Sequence, residues 1–266
     1  MAGRSAIITV MTQAAYKAAR GLVRDFGEVE NLQVSKKGPS DFVTAADIQA
    51  EKVLHAELAH ARPTYGFLME EGGEIKGEDA ARRWIIDPLD GTLNFLHGLP
   101  QFAISIALQH GREIVAGVVY DPLRDELFHA EKGGGAYLND RRMRVSARSR
   151  LDEAALATGI PWQGRGGHTA YLAQLGAVMD HCAGVRRFGA AALDLAYVAA
   201  GRCDGFWEPG LSLWDIAAGV LLVREAGGFV TDLAGGDGML ETGDVLAAND
   251  SLHGTLAALL ARANPG

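Results

Sequence analysis

Cysteine is nearly missing from this chain of 266 residues: Cys182 and Cys203 are the only two. They form no CxxC pair and no metal-ligand spacing, which excludes a disulfide framework and a cysteine-built metal site. Two isolated thiols are expected to be buried and reduced, in a cytoplasmic protein. Long apolar runs are missing too. None approaches the roughly 20 residues that a membrane span needs. Ile7 to Met11 is too short for a signal-peptide core, and Thr12, Gln13 and Lys17 follow at once. The eight histidines are scattered, with no HxH or HExxH pair. There is no Gly-x-Ser-x-Gly elbow, no Cys–His nucleophile signature and no Walker A loop, so serine or cysteine acyl transfer and P-loop nucleotide hydrolysis are disfavoured. No internal repeat or low-complexity tract occurs.

What remains is an ordinary globular composition, 48% apolar and 22% charged, in a length that can bury a large core. Lys and Arg total 25 against 33 Asp and Glu, a net charge of −8. An acidic surface argues against non-specific nucleic-acid binding. The one basic stretch is Arg141, Arg142, Arg144, Arg148 and Arg150, read as a solvated hairpin and linker, with docking to an acidic partner or RNA as the alternative.

Apolar residues at helical spacing predict a first helix over Ile7 to Phe26 and a second over Ala45 to Ala61, with Ile48, Val53, Leu54 and Leu58 facing inward. Short apolar runs at Trp84 to Ile86 and Phe102 to Leu108 read as strands. Ile114 to Tyr120 and Glu126 to His129 read as strands paired around Asp121-Pro122. Further helices are expected over about Ala190 to Ala200 and Leu213 to Ala226, the latter stopped by Gly227-Gly228. The mixed order predicts a layered α/β protein. The polar stretch Arg141 to Arg150 reads as a seam between residues 1–145 and 151–266 of a single catalytic unit, 1–266.

Four acidic constellations stand out. In Trp84-Ile85-Ile86-Asp87-Pro88-Leu89-Asp90-Gly91-Thr92-Leu93-Asn94-Phe95 a buried strand ends in a turn carrying two carboxylates. Both can point at one spot, where they repel unless a hard cation such as Mg²⁺ lies between them. Backbone N–H groups after Gly91 would open toward an anion. A plain surface turn explains the same residues, since all of them favour turns. An EF-hand does not, because the twelfth position from Asp87 is Gly98. Thr44-x-x-Asp47 and Ser212-x-x-Asp215 are each explained as capping boxes. Glu70-Glu71, taken alone, is solvated charge.

Taken together and in this order, Asp41-x-Val43-Thr44-x-x-Asp47, the acidic pair Glu70-Glu71, Asp87-Pro88-Leu89-Asp90-Gly91-Thr92-x-Asn94-Phe95, and Trp214-Asp215-x-Ala217-Ala218-Gly219 with Glu225-Ala226-Gly227-Gly228 resemble the inositol monophosphatase family over nearly the whole chain. The resemblance implies a layered αβαβα sandwich of mixed α/β type, and a Mg²⁺-dependent phosphoric monoester hydrolase. It implies metal ligation by Glu70, Asp87, the Leu89 carbonyl, Asp90 and Asp215, holding two or three Mg²⁺ ions, with Glu70 also among the catalytic residues. Asp47 and Thr92 match the pair that orients the attacking water. Asp90, Gly91, Thr92, Gly189, Ala191, Glu208 and Asp215 match positions that meet the substrate, with Glu208 accepting from sugar-like hydroxyls. Lys36 matches a lysine near the active site, and Glu71 is the alternative to Glu70 in the acidic pair. The metals would also solve the repulsion between a net-acidic protein and a phosphate dianion.

Two departures from the family pattern are Met69 before the acidic pair, where glycine is usual, and Ala190, where a small polar residue is common. His97 is expected at the rim. Asn94 to Pro100 and Glu208-Pro209-Gly210 look most like the branch acting on inositol 1-phosphate. Histidinol phosphate is the runner-up, with fructose 1,6-bisphosphate and 3′-phosphoadenosine nucleotides further alternatives. A metal-binding scaffold with a protein or RNA interaction role is the reading from a different class. The resemblance also implies a homodimer and inhibition by Li⁺.

Overall fold

The computed structural model describes residues 4–28, 34–38 and 41–263, and the side chains of these except 34–38 and 41–43. Helix α1 (Ala6–Phe26) opens at Ser5, whose hydroxyl accepts the Ile8 N–H at 3.2 Å. A small antiparallel pair, β1 (Val34–Gly38) and β2 (Asp41–Thr44), leads into α2 (Ala45–Ala61). The α2 capping box is formed, with Thr44 as N-cap and Asp47 accepting the Thr44 N–H at 3.0 Å. Its inward face differs from expectation at one position. Ile48 is 42% exposed, and the small Ala46 and Ala50 are buried with Leu54 and Leu58 instead. Close packing of α1 on α2 favours alanine there.

These two helices cover one face of an eight-stranded sheet. It comprises β3 (Tyr65–Met69), β4 (Gly73–Ile75), β5 (Asp79–Asp90), β6 (Ala103–His110), β7 (Glu113–Asp121), β8 (Glu126–Glu131), β9 (Gly135–Leu138) and β10 (Arg141–Arg142). The spatial order is β10-β9-β8-β7-β6-β5-β3-β4. Strand β3 runs parallel to β5, and β5 through β10 form an antiparallel meander. A short helix α3 (Thr92–Leu96) follows β5.

The second sheet holds β11 (Ala155–Thr158), β12 (Gly184–Arg186), β13 (Gly205–Glu208), β14 (Phe229–Thr231) and β15 (Val245–Ala248), in the order β12-β11-β13-β15-β14. Between the sheets lie α5 (Ala191–Ala199) and α6 (Leu213–Glu225). All nine residues of α5, and Ile216 through Val223 of α6, are buried, the signature of helices covered on every side. Their approach to the first sheet is close: a Cβ on Gly117 of β7 would come within 3.1 Å of the Ala218 backbone. The outer face of the second sheet is covered by α4 (His168–Met179) and α8 (Asp250–Ala263). A further short helix, α7 (Met239–Thr242), precedes β15. The result is the αβαβα sandwich expected. Both cysteines are free, but only Cys203 is buried; Cys182, beyond α4, is half-buried, contrary to expectation.

Candidate functional site

The turn after β5 builds the centre of the site. In a regular strand, residues three apart face opposite sides of the sheet. Here the pairing with β6 slips: Asp87 faces Ser105 and Asp90 faces Ala103, so two residues, Pro88 and Leu89, stand opposite Ile104 alone. Proline is tolerated at such a bulge, which re-aims the side chains around it. Asp87 and Asp90 thereby line one cleft. Gly91 follows with φ +95°, and a Cβ there would sit 2.8 Å from the Gln101 carbonyl and 3.3 Å from the Ala190 methyl. That contact accounts for Ala190, buried against Gly91, where little more than a methyl fits. Asn94 locks the turn to the second half of the chain, donating to the carbonyls of Gln101 and Phe188, both at 2.8 Å.

The cleft has a volume of about 370 Å³. Glu70, Asp87, Leu89, Asp90, Gly91 and Thr92 line it from one side, and Gly189, Ala191, Glu208 and Asp215 from the other. Each expected site residue among these is thus brought to one place. Asp47 stands behind Thr92, whose hydroxyl lies 3.1 Å from Asp47 Oδ1. In the acidic pair Glu70 faces the cleft, beside Asp87. Glu71 does not line the cleft; its backbone N–H donates to Glu51 at 2.8 Å, and its charge acts on Asp47. Met69 packs in the core under α2 and does not narrow the cleft. The side chain of Lys36 lies outside the described residues. His97 is exposed and does not line the cleft.

Electrostatically the cleft is a trap for positive charge. Burial, reinforced by Glu70, Asp90 and Asp215, raises Asp87 well above the usual carboxylate range. Burial pushes Asp90, Asp215 and Glu208 each up to about 7. Burial also raises Asp47, partly offset by its bonds to Thr44 and Thr92. Three of these carboxylates each commit one oxygen to a backbone anchor: Asp87 to the Leu89 N–H at 2.9 Å, Asp90 to Ala192 N–H at 2.7 Å, Asp215 to Ser212 N–H at 2.7 Å. So held, no three His, Cys, Asp or Glu side chains among the described residues already stand at the spacing of a closed metal cage. The donor set itself, hard carboxylate oxygens raised first by burial and further by one another, fits a divalent cation.

The structure adds residues that no motif indicated. Ile160 and Trp162, from the loop after β11, and Arg187 line the cleft. Arg165 from the same loop reaches Glu208. Asp194 lies at the start of α5, 1% exposed, raised well above its usual range by burial with Glu208 and Asp90 nearby. The arginine stretch is a hairpin and linker: Arg141 and Arg142 form β10, exposed, while Arg148 pairs with Asp204 at 3.3 Å and Arg150 with Asp152.

A layered αβαβα sandwich with a carboxylate-lined cleft at the end of a bulged strand defines a phosphoric monoester hydrolase of the sugar-phosphatase type. The chain belongs to the inositol monophosphatase family, whose model matches residues 4–264. It is 60% identical over 253 residues to the inositol-1-monophosphatase of Mesorhizobium japonicum, covering 95% of each chain. The crystal structure of the extragenic suppressor protein suhB of Bartonella henselae superposes with a TM-score of 0.94 at 59% identity, over 96% of this chain and 98% of that one. The Nus factor SuhB of Escherichia coli is 47% identical over 244 residues, 91% of each chain.

Proposed function

We propose that this enzyme hydrolyses a small phosphorylated polyol, foremost inositol 1-phosphate, in a Mg²⁺-dependent reaction. The observation that carries the reading is the convergence of Glu70, Asp87, Asp90 and Asp215 on one cleft that also holds Thr92 and Glu208. The name of the Mesorhizobium relative supports the same substrate. Glu70, Asp87, the Leu89 carbonyl, Asp90 and Asp215 would hold two or three Mg²⁺ ions, which when bound neutralise the ester dianion, acidify a water and stabilise the departing alkoxide. Thr92 Oγ1, backed by Asp47, orients the attacking water in line with the ester. The turn at Gly91 and Thr92 receives the phosphate oxygens. Gly189 and Ala191 border the leaving group, and Glu208 accepts from its hydroxyls. Lys36 is a further candidate near the active site.

The protein is proposed to act as a single catalytic unit, residues 1–145 and 151–266 each supplying one side of the cleft. It is further proposed to be a cytoplasmic homodimer inhibited by Li⁺. No described helix is long and apolar enough to cross a membrane. The test is phosphate release from inositol 1-phosphate, histidinol phosphate, fructose 1,6-bisphosphate and 3′-phosphoadenosine 5′-phosphate, with and without Mg²⁺. Strong Mg²⁺-dependent preference for inositol 1-phosphate is expected; preference for another substrate moves the enzyme to that branch.

The Nus factor name of the Escherichia coli relative, with the exposed Arg141, Arg142 and Arg144, favours a second reading, an additional interaction role. An Asp87→Asn variant separates the two, because a pure scaffold tolerates the loss of one carboxylate.

A further inference from the structure

Arg165, on the loop between β11 and α4, pairs with Glu208, the last residue of β13, at the end of the cleft where the leaving group would lie. Arg165 Nη1 is 3.6 Å from Glu208 Oε1, and the two side chains are only 16% and 11% exposed. Every other arginine in an ion pair among the described residues is 26% or more exposed. The guanidinium is fixed on three sides. It lies 4.2 Å over the Trp162 ring, donates to the Pro209 carbonyl, and faces Glu208. Such a seat suits a planar, stacking cation.

Two glycines make room for the pair. A Cβ on Gly159 would fall 1.9 Å from the Glu208 carboxylate, and one on Gly210 would fall 2.9 Å from Arg165 Nη2. Both charges therefore rest against bare backbone. Arg165 attracts the Glu208 charge, with Arg187, on the cleft wall, a second and more distant cation acting on it. A hydroxyl in the cleft donates to Glu208, with Arg165 behind that carboxylate, lining the neighbouring pocket. An ammonium only donates, and would meet the guanidinium as a like charge.

We propose that Arg165 is a specificity-determining residue: by neutralising Glu208 it tunes the leaving-group end of the cleft to uncharged, hydroxyl-bearing groups and against ammonium-bearing ones. The inference rests on the proposed function, in which Glu208 meets the leaving group. Removing the cation takes away the like charge that an ammonium would meet, and so favours an aminoalkyl phosphate.

The experiment measures kcat/KM for inositol 1-phosphate and for histidinol phosphate with Mg²⁺, in wild type, Arg165→Gln and Arg165→Lys. The ratio of the two values is independent of the fraction of folded enzyme, so partial misfolding does not imitate a specificity change. Arg165→Gln is expected to shift the ratio about tenfold or more toward histidinol phosphate, the size of one partly screened charge. Arg165→Lys is expected to hold the ratio within about threefold, because it keeps the charge. Equal losses on both substrates in Arg165→Gln, leaving the ratio unchanged, make Arg165 merely structural and overturn the inference. A shift as large in Arg165→Lys as in Arg165→Gln overturns it as well, since charge is then not the determinant. Wild-type enzyme that releases phosphate from neither compound overturns the proposed function, and this inference with it.

Discussion

The Thr92 hydroxyl lies 3.1 Å from Asp47 Oδ1 and 3.0 Å from the Leu89 carbonyl, joining the first turn of α2 to the bulge at the end of β5. A hydroxyl has one proton to give and lone pairs with which to accept. Whichever neighbour takes the proton, Oγ1 retains acceptor capacity toward the cleft, as a residue that orients water requires. Thr92→Val keeps the volume and removes the hydroxyl. It is expected to lower kcat for inositol 1-phosphate by about a hundredfold or more, the usual worth of positioned acid–base groups, while Thr92→Ser stays within about tenfold of wild type. Wild-type kcat in the valine variant removes Thr92 from that role.

The acids of the cleft tie stability to pH. Asp90, Asp215 and Glu208 are held up to about 7 by burial, above the roughly 4 of an unfolded carboxyl. Folded protein therefore binds more protons than unfolded between these values. Their favourable contribution is complete below about pH 4 and is lost as pH rises through 7. Chelator-treated protein is expected to melt at a lower temperature at pH 8.5 than at pH 5.5. Because Mg²⁺ binds the ionised carboxylates, its stabilising shift is expected to be larger at pH 8.5. Thermal melts at the two pH values, with EDTA and with Mg²⁺, check both. Equal Mg²⁺ shifts contradict the assignment of Asp90 and Asp215 as ligands.

Asp194 has the same sign and no such use. Neither carboxylate oxygen has a hydrogen-bond partner among the described residues, and burial raises the group well above its usual range. Asp194→Asn removes the ionisation that the unfolded carboxyl undergoes above about pH 4 while the buried one stays neutral. The variant is expected to melt higher than wild type at both pH values, with the larger gain at pH 8.5. The same gain at both pH values means that titration is not the cause.

Gly159 has no side chain because Glu208 occupies that space. Gly159→Ala forces the carboxylate out of its seat. A loss of about tenfold or more in kcat/KM for inositol 1-phosphate is expected, the scale of a disrupted charged hydrogen bond, with the Mg²⁺ concentration dependence retained. A coincident loss of Mg²⁺ response shows that the metal-binding side was disturbed as well.

Much of this was legible in the sequence where local chemistry repeats itself. The Thr44 cap marks the start of α2 at Ala45, and Gly227-Gly228 follows the cap residue Ala226 at the end of α6. The acidic turn placed Asp87 and Asp90 together, although the bulge that turns both into the cleft is visible only as a slip in strand register. Periodicity failed at Ile48, because apolarity weighs isoleucine above alanine, whereas the α1–α2 contact needs small residues. Strand β3 is five residues long and α4 is weakly patterned, so neither stood out; α8 was missed although Leu252, Leu256 and Leu260 recur at helical spacing. Arg165 and Asp194 were illegible for another reason. Their charged neighbours come from segments distant in the chain; the apolar run around Asp194 signals a buried helix but not what its carboxylate meets.

The most direct test is the rate of phosphate release from inositol 1-phosphate as Mg²⁺ is titrated into EDTA-treated wild-type and Asp215→Asn protein. The account predicts no release in EDTA, saturable activation of wild type, and a drop of about a hundredfold or more in the variant at limiting Mg²⁺, with the fold intact, since Asp215 supplies a ligand and not a core contact. Release that persists in EDTA, or an Asp215→Asn enzyme with wild-type turnover at limiting Mg²⁺, would contradict it.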